Sequence, residues 1–322
     1  MKKILSVFLR CSISIAFLII LFRKIDFKDT FKLLLTLNPI YSIYALVFFF
    51  IIYVLVLYRW KMLLDAQGVR LPFKRVVSSY AGGLFFSLFL PSTIGGDIAR
   101  SVDLSIYAKS RSVIVASVLL DRLSGFVGLV VVAFVGLMVG HRFIKEPSVY
   151  FTIFLMAALL GAMLLVIFNQ GIYRRISRPS LHKNAWKERL KKLHAEIYFF
   201  RSKPLVLYLN LFCSILIQVG ASVVSYFLLR ALNAKMYFFY PLIFNPVITV
   251  ITTIPIAIGG LGLRDAASIF FYTKVGIAKD VALGQALLTF ALIVLFGLIG
   301  GIVYVSTLHY RRVQPHQTDA AS

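Results

Sequence analysis

Eight apolar runs, separated by short polar and basic segments, dominate the hydropathy pattern of the chain. They cover residues 5–22, 39–58, 76–91, 113–139, 149–169, 204–231, 238–257 and 279–308. A helix needs about 20 predominantly apolar residues to cross a bilayer, and most of these runs reach or approach that length. The pattern therefore predicts an all-α polytopic membrane protein.

The distribution of Lys and Arg selects among the possible topologies. If all eight runs cross and the N-terminus is cytoplasmic, 12 basic residues lie inside and 20 lie outside, which opposes the positive-inside rule. If the runs 76–91 and 238–257 are re-entrant, the count becomes 22 inside and 10 outside. This predicts six full spans and two re-entrant helical hairpins, with both termini and the basic loop 170–203 in the cytoplasm.

The two runs predicted to be re-entrant differ in how strongly they favour that interpretation. The run 76–91 is short and contains the pair Gly82 and Gly83. The run 238–257 contains Pro246 but is long enough to span, so the sequence leaves open whether it is re-entrant or a full span. Broken backbone at membrane depth is tolerated where protein or a water-filled cavity satisfies the freed polar groups.

A ten-residue motif occurs twice, as PSTIGGDIAR from Pro91 and as PIAIGGLGLR from Pro255, and both copies read P-x-x-I-G-G-x-x-x-R. The copies occupy matching places in two halves, residues 1–140 and 149–310, of one membrane domain with a polar tail at 311–322. Three spans per half make the second half face the opposite way. Inverted repeats with broken helices recur in transporters, and the sequence predicts such a repeat with one motif at each hairpin tip.

The motif residues form a candidate site for the anionic head of a lipid. Glycines allow a sharp turn of the backbone. A new helix is predicted just after each glycine pair, and the free N–H groups at its start can bind an anion. The arginine that follows offers a guanidinium fork suited to phosphate. The alternative is that the glycines only allow close helix packing and the arginines anchor at the membrane interface. The candidate residues are Gly95, Gly96, Arg100, Gly259, Gly260 and Arg264.

Four further charged residues are candidates for ion coupling or for buried ion pairs. Asp97 is interpreted as a helix N-cap, as a partner of Arg100 or as a titrating group, and Asp265 is the first acid of the second copy. Asp121 and Arg122 lie inside an apolar run, where a charge costs roughly 2.5–3.5 kcal/mol on insertion scales. Neighbouring helix positions diverge by about 100°, so each is expected to have its own partner.

Composition and charge narrow the classes of function. The chain is 60% hydrophobic with a net charge of +23, which indicates positive-inside bias and attraction to anionic lipid rather than binding to nucleic acid. The sequence has three Glu and lacks a P-loop or a Cys/His cluster, so we expect no catalytic residues, no metal and no cofactor. The sequence does not identify protein partners, which stay unknown.

The loop 170–203 contains a further helical pattern. The segment AWKERLKKLHAEIYFF places Trp186, Leu190, Leu193 and Ile197 near one face, with basic residues elsewhere. The pattern predicts an amphipathic helix that lies on the anionic leaflet or is simply a connector.

The order of the runs, with LPSTIGGDIARSVDL, LLDRLSG and IPIAIGGLGLRDAASIFFY, resembles the lysylphosphatidylglycerol synthase transmembrane-region family, also called flippase-like domain proteins. In bifunctional members this region moves an aminoacylated phospholipid between leaflets, and a separate cytosolic domain makes that lipid. The chain ends at Ser322 soon after its last run, so the resemblance implies translocation without synthesis.

The leading hypothesis is a flippase of the cytoplasmic membrane for an anionic phospholipid or a polyprenyl-phosphate-linked lipid. Two alternatives stay open: a membrane glycosyltransferase acting on a lipid-linked sugar, and a non-transporting scaffold for envelope biogenesis.

Overall fold

The computed structural model describes residues 35–89, 93–108, 110–143, 146–168, 185–253 and 262–313. Within those ranges the chain is helical, with two short 3₁₀ segments at Ser105–Tyr107 and Phe200–Ser202 and no strand, which confirms the all-α class. The helices are α1 (Pro39–Ala66), α2 (Phe73–Phe89), α3 (Thr93–Leu104), α4 (Arg111–Gly140), α5 (Pro147–Phe168), α6 (Ala185–Phe199), α7 (Pro204–Ala231), α8 (Phe239–Thr253), α9 (Leu263–Thr273) and α10 (Lys279–Val313).

Five of the helices in the described ranges are long and apolar enough to cross a membrane: α1, α4, α5, α7 and α10. They coincide with five of the six runs predicted to span. The sixth run, residues 5–22, lies outside the described residues, so the count of six spans stays a prediction.

The two remaining runs form shorter helices. α2 has 17 residues and α8 has 15, which correspond to about 25 and 22 Å, less than the roughly 30 Å of hydrocarbon in a bilayer. Each is followed by a second short helix, α3 or α9, that packs back against it. At the base of the first hairpin the guanidinium carbon of Arg75 lies 5.0 Å from the ring centroid of Tyr107. In the second, the rings of Phe244 and Phe271 are 5.6 Å apart.

The two hairpins join the helix bundle at opposite ends. The backbone N–H of Asn38 donates to the carbonyl of Ala231 at 2.9 Å, so α1 begins beside the end of α7. The first hairpin leaves the far end of α1 and returns to the start of α4, whereas the second leaves the end of α7 and returns to the start of α10. The bases of the hairpins are therefore separated by the length of α1.

Each hairpin packs against the last long helix of the other half of the chain. α2 lies on α10, where a Cβ on Gly300 would stand 2.7 Å from the carbonyl oxygen of Ala81. α8 lies on α4, where a Cβ on Gly136 would stand 2.8 Å from the Ile243 side chain. Glycines let the helix backbones approach closely, so the two hairpins are held by equivalent pairs of helices.

The amphipathic segment of the basic loop forms α6 and packs on the bundle. Ile197 and Phe200 are buried in a cluster with Leu120 of α4 and Leu160 of α5, and Leu193 packs against that cluster. Residues 170–184 of the loop lie outside the described residues. In its described part, the apolar face of this helix is thus covered by protein.

Candidate functional site

Five charged side chains from three helices form a continuous chain of alternating sign beside the first hairpin. At its centre, the carboxylate of Asp121 on α4 joins two arginines. Its Oδ1 accepts a hydrogen bond from Nε of Arg59 on α1 at 2.8 Å, and its Oδ2 accepts from Nη2 of Arg100 on α3 at 3.2 Å. One carboxylate therefore joins α1, α3 and α4.

Asp97 continues the chain toward the surface. Its Oδ1 lies 3.0 Å from Nη2 of Arg100, and its Oδ2 accepts a hydrogen bond from Nε of Arg122 at 2.7 Å. The prediction that Asp97 pairs with Arg100 is confirmed. The prediction that Asp121 and Arg122 have different partners is confirmed as well.

The three inner side chains of this charged chain are buried, and the two outer ones are progressively more exposed. The exposed fraction of the side chain is 7% for Arg59, 4% for Asp121 and Arg100, 16% for Asp97 and 44% for Arg122. An anion that approaches from the surface would therefore meet Arg122 before Arg100.

Aromatic rings hold the guanidinium of Arg100 in place. Its central carbon lies 4.5 Å from the ring centroid of Trp60 and 5.2 Å from that of Tyr80. The indole N–H of Trp60 donates to Oγ of Ser117 at 3.3 Å, which fixes the ring. Cation–π contacts of this kind stabilise a cation that has been removed from water, so Arg100 is held in position by its surroundings.

The charged chain has one positive charge in excess, because it contains three guanidinium groups and two carboxylates. Nη1 of Arg100 is buried and has no hydrogen-bond partner within the described ranges. Buried charges are normally paired, since an unpaired one costs several kcal/mol. The arrangement is suited to receive an additional anion.

The first pair of motif glycines lies inside a helix. α3 begins at Thr93, so the prediction that a helix starts just after Gly95 and Gly96 is wrong at this copy, and Asp97 is too far into the helix to be its N-cap. A Cβ on Gly83 would lie 2.9 Å from the carbonyl oxygen of Gly96. Gly96 is placed so that the backbones of α2 and α3 can touch, and close packing is what its contacts show.

The second motif places Arg264 and Asp265 in the first turn of α9, which begins at Leu263, after the second glycine pair as predicted. Oδ2 of Asp265 accepts a hydrogen bond from the N–H of Gly262 at 3.0 Å, and Gly262 has a φ of +78°, which suits glycine. Gly259 and Gly260 lie outside the described residues.

The guanidinium of Arg264 is buried, and few polar groups compensate its charge. Its Nε is 3.8 Å from Oδ1 of Asp265, and its central carbon is 5.1 Å from the ring centroid of Phe290 on α10. Only 9% of the side chain is exposed, and neither Nε nor Nη2 has a hydrogen-bond partner among the residues that the structure describes. Arg100 packs beside α4 and Arg264 beside α10, so the two arginines lie in separate environments.

Arg59 is a site residue that the sequence interpretation missed. Besides Asp121, it contacts α7, because its Nη1 donates to Oγ of Ser214 at 2.9 Å. The apolar run 39–58 ends one residue before Arg59, but α1 continues to Ala66. Trp60, Leu63 and Leu64 continue the helical spacing of buried positions, and that spacing was the signal that Arg59 is inside a helix.

Comparison with known proteins gives one family. No curated protein matches the chain. The family model described as "Lysylphosphatidylglycerol synthase TM region" matches residues 7–301 of the 322, a range that contains the charged chain and both hairpins. This is the family that the sequence motifs indicated. Because the match extends over most of its length, the chain belongs to the lysylphosphatidylglycerol synthase transmembrane-region family, a group of multi-pass membrane proteins.

Proposed function

We propose that this protein moves an anionic lipid, either a phospholipid or a polyprenyl-phosphate-linked lipid, between the leaflets of the cytoplasmic membrane. The observation that carries the proposal is the largely buried chain of charges, in which Nη1 of Arg100 has no hydrogen-bond partner among the described residues. Charged groups at membrane depth are costly and mark the paths of substrates or ions. Here they lie beside a short helical hairpin in a protein whose family includes flippase-like domains.

The placement of the hairpins supports an inverted repeat that gives access from both faces. The first hairpin joins the bundle where α4 begins, and the second joins it where α10 begins. With both termini in the cytoplasm, as the charge distribution predicts, Arg100 would meet a lipid head from the inner side and Arg264 from the outer side. The two motif arginines would then contact the head at opposite ends of its route.

The surface of the bundle suits the lipid tails. Exposed large apolar side chains are frequent on α1 and α4, and they include Phe50 at 57% exposure and Phe134 at 55%. A lipid can leave its acyl or prenyl chains in the hydrocarbon while its head passes along protein charges, which avoids most of the cost of burying an isolated anion. We assign no nucleotide site, so movement would be facilitated or coupled to an ion.

Substitution of the two motif arginines tests the assignment. In liposomes that contain the purified protein and a fluorescent anionic lipid, Arg100→Ala and Arg264→Ala are each expected to slow lipid movement more than about tenfold, since truncating a buried charged partner costs about 2–5 kcal/mol. Arg230→Ala is the matched control, because Arg230 contacts Tyr41 at a helix end, away from both motifs. If both motif variants move lipid as fast as wild type, the site assignment fails.

A further inference from the structure

We infer that the transported head is a phosphate monoester, and that its phosphate takes the place of the Asp97 carboxylate between Arg100 and Arg122. The inference rests on the proposed lipid translocation and specifies the substrate class that was left open there.

Asp97 makes the contacts that a phosphate would make. One of its oxygens lies 3.0 Å from Nη2 of Arg100 and accepts from Nε of the same guanidinium at 3.1 Å, and the other accepts from Nε of Arg122 at 2.7 Å. Arginine forks bind carboxylate and phosphate with the same geometry. A phosphate can therefore bridge α3 and α4 through the same two side chains.

Of the two carboxylates in the charged chain, Asp97 is the one that can be displaced. Its side chain is 16% exposed, so it can turn toward the surface and be hydrated. Asp121 is 4% exposed and pairs with both Arg59 and Arg100. Releasing Asp121 would leave two buried guanidinium groups without a counter-ion, which is far more costly than releasing Asp97.

The charge that remains after displacement favours a monoester over a diester. Without Asp97 the cluster holds three guanidinium groups and one carboxylate, a net charge of two positive units. A phosphate monoester carries about −1.5 to −2 at pH 7, which nearly neutralises the cluster. A diester carries one negative charge, as the displaced carboxylate does, and leaves the cluster with the one positive unit in excess that it has with Asp97 in place.

Fluorescence of Trp60 measures binding directly, because its ring lies 4.5 Å from the guanidinium of Arg100. The chain contains two tryptophans, so Trp186→Phe makes Trp60 the only reporter. In lipid nanodiscs of phosphatidylcholine, phosphatidic acid is expected to change Trp60 emission saturably, and phosphatidylglycerol to require at least about tenfold more lipid for the same change. Equal responses to these two lipids would overturn the inference.

Two further comparisons sharpen the test. Asp97→Asn removes the competing charge and is expected to tighten phosphatidic acid binding about tenfold, whereas Asp103→Asn, which removes an acid on the same helix, is expected to leave it unchanged. Equal effects of the two substitutions on phosphatidic acid binding would contradict the displacement of Asp97 by phosphate. Inorganic phosphate is expected to act only at far higher concentration than phosphatidic acid, and equal potency would exclude a lipid as the source of the phosphate.

The liposome assay separates failure of this inference from failure of the proposed function. Movement of phosphatidic acid and phosphatidylglycerol at equal rates would overturn the monoester preference and leave translocation intact. Selective binding of phosphatidic acid at Trp60, with no movement of any lipid above protein-free liposomes, would overturn translocation. The wild-type comparison of the two lipids needs no substitution in the charged chain, so it decides the question even if Asp97→Asn fails to fold.

Discussion

Replacing Asp121 with asparagine is expected to lower the free energy of unfolding by about 3–5 kcal/mol, the usual cost of breaking a buried ion pair by removing one partner. Asp121 is the counter-ion of both Arg59 and Arg100, at 2.8 and 3.2 Å, and all three side chains are at least nine-tenths buried. Asparagine keeps the size of the side chain and removes its charge. Two guanidinium groups on different helices would then face each other without compensation.

Thermal unfolding of the purified protein in detergent measures the effect, and Asp65→Asn is the control. Asp65 pairs with Lys61 on α1 at 2.5 Å, but its side chain is 40% exposed. Exposed ion pairs contribute about 0–1 kcal/mol, so this variant should unfold at a temperature close to that of the wild type. If Asp121→Asn were as stable as the control, the charged chain would not hold α1, α3 and α4 together.

Gly96→Ala is expected to destabilise the protein by about 1–3 kcal/mol through overpacking and to slow lipid movement. A Cβ at this position would overlap the carbonyl oxygen of Gly83 and Oγ of Ser87 on α2. Ser87 can rotate away, but the backbone oxygen of Gly83 cannot move without shifting α2. The substitution would separate α2 from α3 and carry Asp97 and Arg100 away from α4.

Gly161→Ala provides a matched comparison for Gly96→Ala. Gly161 lies in α5, and a Cβ there would meet no atom within 4 Å. Alanine has the higher helix propensity, by roughly 1 kcal/mol, so this variant should be as stable as wild type or more so. Unfolding curves and rates of lipid movement in liposomes, measured side by side for the two variants, check whether the contact at Gly96 is needed. A neutral Gly96→Ala would show that α2 and α3 do not need their close contact.

Helix α4 links the two hairpins physically. Asp121 and Arg122 face the first hairpin, and Gly136 and Gly140 lie against Ile243 and Phe239 of the second. About 15 residues, or roughly 22 Å of helix, separate these contacts. A displacement of α4 is therefore transmitted to both hairpins.

Much of the fold could be predicted from patterns that act locally. Apolar runs of sufficient length identified the five helices within the described ranges that are long and apolar enough to span, since a span must be apolar over most of its length to sit in lipid. The short run 76–91 is predicted to be re-entrant because Gly82 and Gly83 interrupt it, and in the structure it forms a helix of only 17 residues. The structure shows those glycines serving contacts, with Tyr304 on α10 and with Gly96 on α3 respectively.

The site was harder to predict because its geometry depends on contacts between distant segments. Asp97, Arg100, Asp121 and Arg122 stand out in the sequence as charges near or within apolar runs. Arg59 does not, because it follows directly after a run, and its importance comes from a residue 62 positions away. The motif suggested a turn at Gly95 and Gly96, but both lie within α3 and Gly96 packs against α2. A single sequence carries no direct signal of that packing partner.

The account depends most on the two hairpins opening to opposite faces of the membrane, and cysteine labelling tests this directly. Two variants are made in a protein that already carries Cys11→Ser and Cys213→Ser. One has a single cysteine after the first hairpin, Ser110→Cys, and the other has a single cysteine after the second hairpin, Lys274→Cys. Both native positions are exposed, and Lys274 lies 3.4 Å from Glu146 at the end of the bundle assigned to the outside. With a membrane-impermeant maleimide on intact cells, we expect labelling of Lys274→Cys alone, and Ser110→Cys should react only after the membrane is opened. Labelling of both positions from the same side would contradict the account.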